Sequence, residues 1–136
     1  MAIVAECIEL QTNRESTALQ FSNVEKFSDG SGYCCDLAVR SGGFACQRQF
    51  YFDDDRLTDA LVSLRRMIDG LPGEAIFKFR YEEDFLRIET NRLGHVFISG
   101  ELHEYSEMAQ SLKFAFRTDQ TVLAPLVREL AVVHCA

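Results

Sequence analysis

From residue 77 the chain reads Phe77-Lys78-Phe79-Arg80-Tyr81, Glu82-Glu83-Asp84, Phe85-Leu86-Arg87-Ile88-Glu89-Thr90, Asn91-Arg92-Leu93-Gly94 and His95-Val96-Phe97-Ile98-Ser99-Gly100-Glu101-Leu102. Phe77, Phe79 and Tyr81 alternate with Lys78 and Arg80, Leu86 and Ile88 with Arg87 and Glu89, and Val96, Ile98 and Leu102 with Ser99 and Glu101. A period of two is the repeat of a strand with one face buried. The acidic run and the Asn91-to-Gly94 run are short enough to be hairpin loops, so these strands predict an antiparallel meander. A fourth strand, with Leu112, Phe114 and Phe116 set against Lys113 and Arg117, follows a longer polar connection from His103 to Gln110.

Upstream of this block the period changes. Leu57, Ala60, Leu61, Leu64 and Ile68 recur at helical spacing after Asp53-Asp54-Asp55, whose oxygens and negative charge suit a helix N-terminus. Arg65 and Arg66 sit where positive charge favours the end of a helix, and Gly70 and Pro72 stop it. Further upstream, Ile3 to Leu10 and Thr17 to Glu25 read as strands joined by a turn over Thr12 to Ser16. After the breaker Asp29-Gly30-Ser31-Gly32, Tyr33 to Val39 and Phe44 to Phe52 form a hairpin about Ser41-Gly42-Gly43. Arg48 falls on the apolar face with Phe44, Cys46, Phe50 and Phe52, so either a bulge intervenes or Arg48 reaches a carboxylate. A last helix carries Leu123, Leu126, Val127 and Leu130, with Thr121 as its expected cap and Pro125 in its first turn. The fold class is therefore α+β: an antiparallel sheet of about eight strands, ordered four strands, helix, four strands, helix, packed on two helices. At 136 residues it is expected to be one domain, 1–136.

The net charge of -7 opposes direct nucleic-acid binding, because phosphate backbones are repelled during encounter. No apolar run reaches the ~20 residues that span a bilayer, and the N-terminus lacks the basic region of a secretory signal. The expectation is a cytoplasmic protein with reduced thiols and no membrane partner.

Five cysteines, Cys7, Cys34, Cys35, Cys46 and Cys135, show no metal-ligand spacing. No nucleophile elbow or phosphate-loop spacing is present, so neither catalytic residues nor a cofactor are expected. Glu101, His103 and Glu104 are chemically compatible with a divalent metal, but a solvated strand end explains them as well, and no metal site is assigned. Basic and aromatic residues interleave at Phe77 to Tyr81 as in base-stacking sheets, yet an amphipathic strand under a helix has the same pattern.

The stretch Gly94-His95-Val96-Phe97-Ile98-Ser99-Gly100-Glu101-Leu102, then Leu112-Lys113-Phe114-Ala115-Phe116-Arg117-Thr118-Asp119-Gln120-Thr121-Val122-Leu123 and an amphipathic helix, resembles the WapI-type immunity proteins of bacterial contact-dependent toxin systems. In that family a Gly-His-aliphatic strand precedes a hydrophobic-x-Phe-x-Phe strand, then Asp-Gln-Thr and the last helix. The resemblance covers roughly Ala75 to Val133 and Phe50 to Ile68. The chain departs from it in having no Trp, a residue often seen in the N-terminal strands of such proteins. The resemblance implies a non-enzymatic inhibitor that binds a cognate protein toxin, some of which are basic nucleases.

On that reading the partner-binding residues are Glu82, Glu83 and Asp84 at one hairpin tip, with Glu101, Glu104, Tyr105 and Glu107 at the end of the next hairpin. Their pattern places them at the surface, with Tyr105 as an aromatic anchor among charges. Two other readings stand beside it. One is a self-associating adaptor forming a homodimer through an uncovered sheet face. The other is a small-ligand-binding domain with a pocket around Arg48, His95 or Asp36.

Overall fold

Each predicted strand and helix finds a counterpart in the computed structural model, which describes residues 3–10 and 18–136. The turn expected over Thr12 to Ser16 lies outside the described residues. Strands β1 (Ile3–Leu10), β2 (Ala18–Lys26), β3 (Gly32–Ser41) and β4 (Phe44–Asp53) lead into helix α1 (Asp54–Ile68). Then follow β5 (Gly73–Lys78), β6 (Phe85–Thr90), β7 (His95–Glu104), β8 (Gln110–Asp119), a 3-10 turn (Gln120–Val122) and helix α2 (Leu123–Cys135).

The eight strands divide into two four-stranded antiparallel meanders, β1-β2-β3-β4 and β5-β6-β7-β8. The break falls where β4 runs without a loop into α1, which carries the chain off the first sheet before β5 opens the second. Alternating side chains of both sheets and one stripe of each helix form a single buried cluster. The two sheets meet through Phe77, whose ring lies 6.0 Å from that of Phe21 and 5.7 Å, edge-on, from that of Phe52. Such pairs contribute about 0.5–1.5 kcal/mol each beyond the area they bury.

Several side chains depart from their expected roles. Asp53 stands at the N-cap of α1 but makes no side-chain cap bond. Its carboxylate instead accepts from the Arg80 backbone amide at 3.0 Å and from Arg80 Nε at 3.3 Å. That bond holds the amide of Arg80 off the sheet, and β5 stops at Lys78, short of the alternation that ran to Tyr81. Tyr81 is accordingly exposed.

At the other end of α1, Met67 and not Ile68 enters the core. Its Cγ and Cε lie 3.9 Å from where a Cβ on Gly73 would stand, an ordinary packing contact that an unbranched, flexible side chain reaches readily. Gly70, with φ of +88°, closes the helix as expected: its amide bonds Met67 O at 3.0 Å, and that of Leu71 bonds Arg66 O at 3.1 Å. The turn into α2 is capped by Asp119, which accepts from the Thr121 amide at 2.9 Å, so Thr121 is the capped residue and not the cap.

β3 and β4 pair without a bulge from Gly32↔Asp53 to Ser41↔Phe44. Arg48 therefore keeps its place on the inner face and reaches across to the second sheet.

A candidate docking surface at one end of the sheets

The β5–β6 connection, Phe79 to Asp84, folds against the end of β7. Register pairs Phe85 with Glu101 and Glu104 with Gln110, so the residues before Phe85 lie beside His103 and Tyr105. Asp84 is only 7% exposed, contrary to the expectation that it is a surface residue. Its carboxylate accepts from the His103 backbone amide at 2.9 Å and lies 2.8 Å from His103 Nδ1. The other ring nitrogen lies 3.1 Å from Glu101 Oε1 and 3.9 Å from Glu83 Oε2. A ring with carboxylates at both nitrogens donates to both only as imidazolium. The Asp84 hydrogen bond, aided by Glu101 and opposed by desolvation, accordingly holds His103 above its ordinary pKa.

Tyr105 stacks on the His103 ring, with centroids 5.8 Å apart and planes 14° from parallel, and its hydroxyl donates to Glu83 at 2.9 Å. Glu82 is half-buried, and its carbonyl accepts from the Lys78 ammonium. Glu107 is exposed in the β7–β8 loop beside exposed Met108.

Glu104 takes another direction. It lies on the opposite face of β7 from Glu101 and His103 and approaches Arg48 Nη1 of the first sheet at 3.6 Å. The trio Glu101, His103 and Glu104 is thus divided between two faces. Of the seven residues singled out in the sequence, Glu83, Asp84, Glu101 and Tyr105 converge on His103. Glu82, Glu104 and Glu107 stay at the same end without joining that cluster.

His103, the hub, was legible only as a histidine flanked by glutamates. Phe44 was missed as a surface residue: it is 69% exposed at the β3–β4 tip, past the point where the second sheet covers the apolar face. The ion pair of Arg48 was signalled by a cation on an apolar face.

Between the two sheets at this end lies an open cleft of about 450 Å³, lined by Phe44, Cys46, Arg48, Leu102, Glu104 and Leu112 among others. The first sheet's outer face carries two further open depressions around Gln20, Ala38 and Gln47. Asp36 is exposed on that face and accepts from Asn23 at 3.1 Å, while His95 begins β7, at the other end of the strand from His103. Burial raises the Cys34, Cys35 and Cys46 thiols above their ordinary values, which disfavours the thiolate form that nucleophilic chemistry needs. Among the described residues no helix is long and apolar enough to cross a membrane.

A search of curated proteins and one of solved structures each returned no match. A family model for WapI-like immunity proteins, however, matches residues 7–133, taking in the strands before Phe50 as well as the Phe50-to-Ile68 and Ala75-to-Val133 segments that the sequence resemblance covered. With nearly all of its two sheets and both helices inside that match, the chain belongs to the Immunity protein WapI-like family.

Proposed function

We propose that this protein neutralises a cognate toxin by covering it with the acidic end built from the β5–β6 loop and the β7–β8 hairpin, without catalysing any reaction itself. Family membership identifies the class of partner, a toxin. The observation that carries the surface assignment is the convergence there of Glu83 and Glu101 on the His103–Tyr105 stack, with Glu104 and Glu107 beside it. A net charge of -7 suits a basic partner, such as a nuclease with a cationic substrate groove, and speeds the encounter. The stacked Tyr105 is partly ordered before binding, which lowers the entropy cost of using it as an anchor. Free Cys7 and Cys135 at the surface favour action in a reducing cytoplasm.

The test is protection of cells expressing the toxin encoded beside this gene, together with the affinity of the purified pair. The double variant Glu83→Lys/Glu107→Lys should weaken binding about tenfold or more and flatten its salt dependence. If the toxin kills equally with and without the protein, the immunity reading fails. If the charge-reversed variant binds as the parent does at all salt concentrations, the acidic end is not the docking surface.

A further inference from the structure

His103 ties together two segments that are distant in the chain. Its Nδ1 lies 2.8 Å from Asp84 of the β5–β6 connection, and its Nε2 lies 3.1 Å from Glu101 of its own strand and 3.9 Å from Glu83. Tyr105 covers the ring and donates its hydroxyl to Glu83 at 2.9 Å. Three carboxylates thus meet the imidazole, and among the described residues no cation does. Of the other charged groups around it, Lys113 of β8 stands opposite Glu101, while uncharged Ser111 stands opposite His103. Lys78 bonds the Glu82 carbonyl, the Glu82 charge acts on Tyr105, and Glu104 turns to Arg48 on the other face of β7.

As imidazolium the ring donates to Asp84 and Glu101 together and presents a cation to the face of Tyr105. A neutral ring keeps one N–H. Asp84 is buried and has no access to water as a substitute donor, so the remaining proton stays on Nδ1 and the Nε2 lone pair faces Glu101 and Glu83. Those side chains are 28% and 76% exposed, and both are free to turn away into solvent. Tyr105 then loses the cation beside its ring and the acceptor of its hydroxyl.

We propose that His103 is a proton-dependent latch of the docking surface: with its proton it holds Glu83, Glu101 and Tyr105 in the arrangement the toxin meets, and without it these three are released. The inference rests on the toxin-binding reading and adds regulation to that site. Loss of the proton also adds one negative charge, which by itself strengthens attraction to a basic toxin. One charge at a surface is screened, whereas each released side chain must be ordered again on binding, so the ordering effect prevails and affinity falls as pH rises. The cage holds His103 above its ordinary value of 6.5, which places the fall above that pH.

The test uses the full chain and the toxin domain encoded beside its gene. Calorimetry gives the affinities of the parent and of His103→Gln, whose carboxamide stays neutral, between pH 5.5 and pH 8.5. Their ratio is read, so that titration of the toxin itself cancels. It is expected to favour the parent about tenfold at the acid end and to approach one at the alkaline end. A ratio that is constant, or that grows with pH as charge alone would make it, overturns the latch. Thermal unfolding checks that His103→Gln is folded, and a second readout needs no variant. The ¹⁵N shifts of the His103 ring report its protonation, and by linkage toxin binding should raise the pH at which it titrates. An unchanged or lower titration point in the complex also overturns the latch. If Glu83→Lys/Glu107→Lys loses binding while the ratio stays flat, the acidic-surface reading stands without the latch. If that double variant binds as the parent does, or the parent binds no toxin at any pH, both readings fall.

Discussion

Replacing Asp53 by alanine tests how the fold sets the position of the acidic loop. The Asp53 side chain is only 8% exposed and accepts from the Arg80 backbone amide and from Arg80 Nε. Removing it leaves a part-buried amide unpaired, a loss of about 1–3 kcal/mol, and abolishes a charge-assisted bond as well. The Arg80 side chain is 55% exposed, so its share of the pair is that of a surface ion pair, about 0.2–1 kcal/mol. Asp53→Ala is therefore expected to cost about 2–3 kcal/mol and Arg80→Ala less than 1. For 136 residues, an unfolding entropy of about 2.1 cal/mol/K per residue converts 1 kcal/mol into roughly 3.5 °C. Asp53→Ala should lower the midpoint by about 7–10 °C and Arg80→Ala by no more than about 3 °C. Asp53→Asn, which keeps an oxygen for the amide, should fall between them. Calorimetry with a double-mutant cycle measures all three. Equal losses from Asp53→Ala and Arg80→Ala would refute the reasoning, since the exposed guanidinium and not the amide would then be the partner that matters.

Three other outcomes follow from the structure. His103 is held above its ordinary pKa of 6.5 in the folded state, so its contribution to stability is complete below that value and is lost as pH rises through the raised one. The melting temperature of the parent, less that of His103→Gln, should thus shrink from pH 5.5 to pH 8.5, and a difference that grows would exclude the carboxylate cage. A Cβ on Gly100 would stand 2.6 Å from Phe85 O and 2.7 Å from the Phe114 ring, so Gly100→Ala should cost about 1–3 kcal/mol in urea unfolding. Gly43→Ala, with no atom within 4 Å, serves as its benign control. Met67→Ala should cost about 2–5 kcal/mol and Ile68→Ala well under half of that; the reverse ranking would return Ile68 to the core.

The family signal shows how local patterns and global matches differ. The residues that carried the resemblance, Gly94 to Leu102 and Leu112 to Leu123, lie in β7, β8 and the entry to α2. There Gly94 needs φ of +83°, and Asp119 turns the chain into the helix. Such constraints are met by few residue types and so are visible in a single sequence. The first sheet has turn marks of its own at Gly30 and Gly42, but its strands are mostly an alternating apolar face that many sequences satisfy, and its place in the family emerged only from the match over residues 7–133.

By itself the sequence determined the local elements: two periods, the Gly70 stop, the Gly42-Gly43 turn and the placement of Pro125. Each depends on neighbours a few residues away, through backbone sterics and side-chain alternation, and needs no knowledge of the opposite layer. The tertiary structure alone decided that the strands form two sheets, that Asp53 holds Arg80, that Met67 enters the core and that Asp84 is buried under His103. It also decided that Arg48 meets Glu104 across an open cleft. A charged or adaptable side chain takes whichever partner the facing layer brings within reach, and that partner comes from a distant part of the chain, where no periodicity points to it.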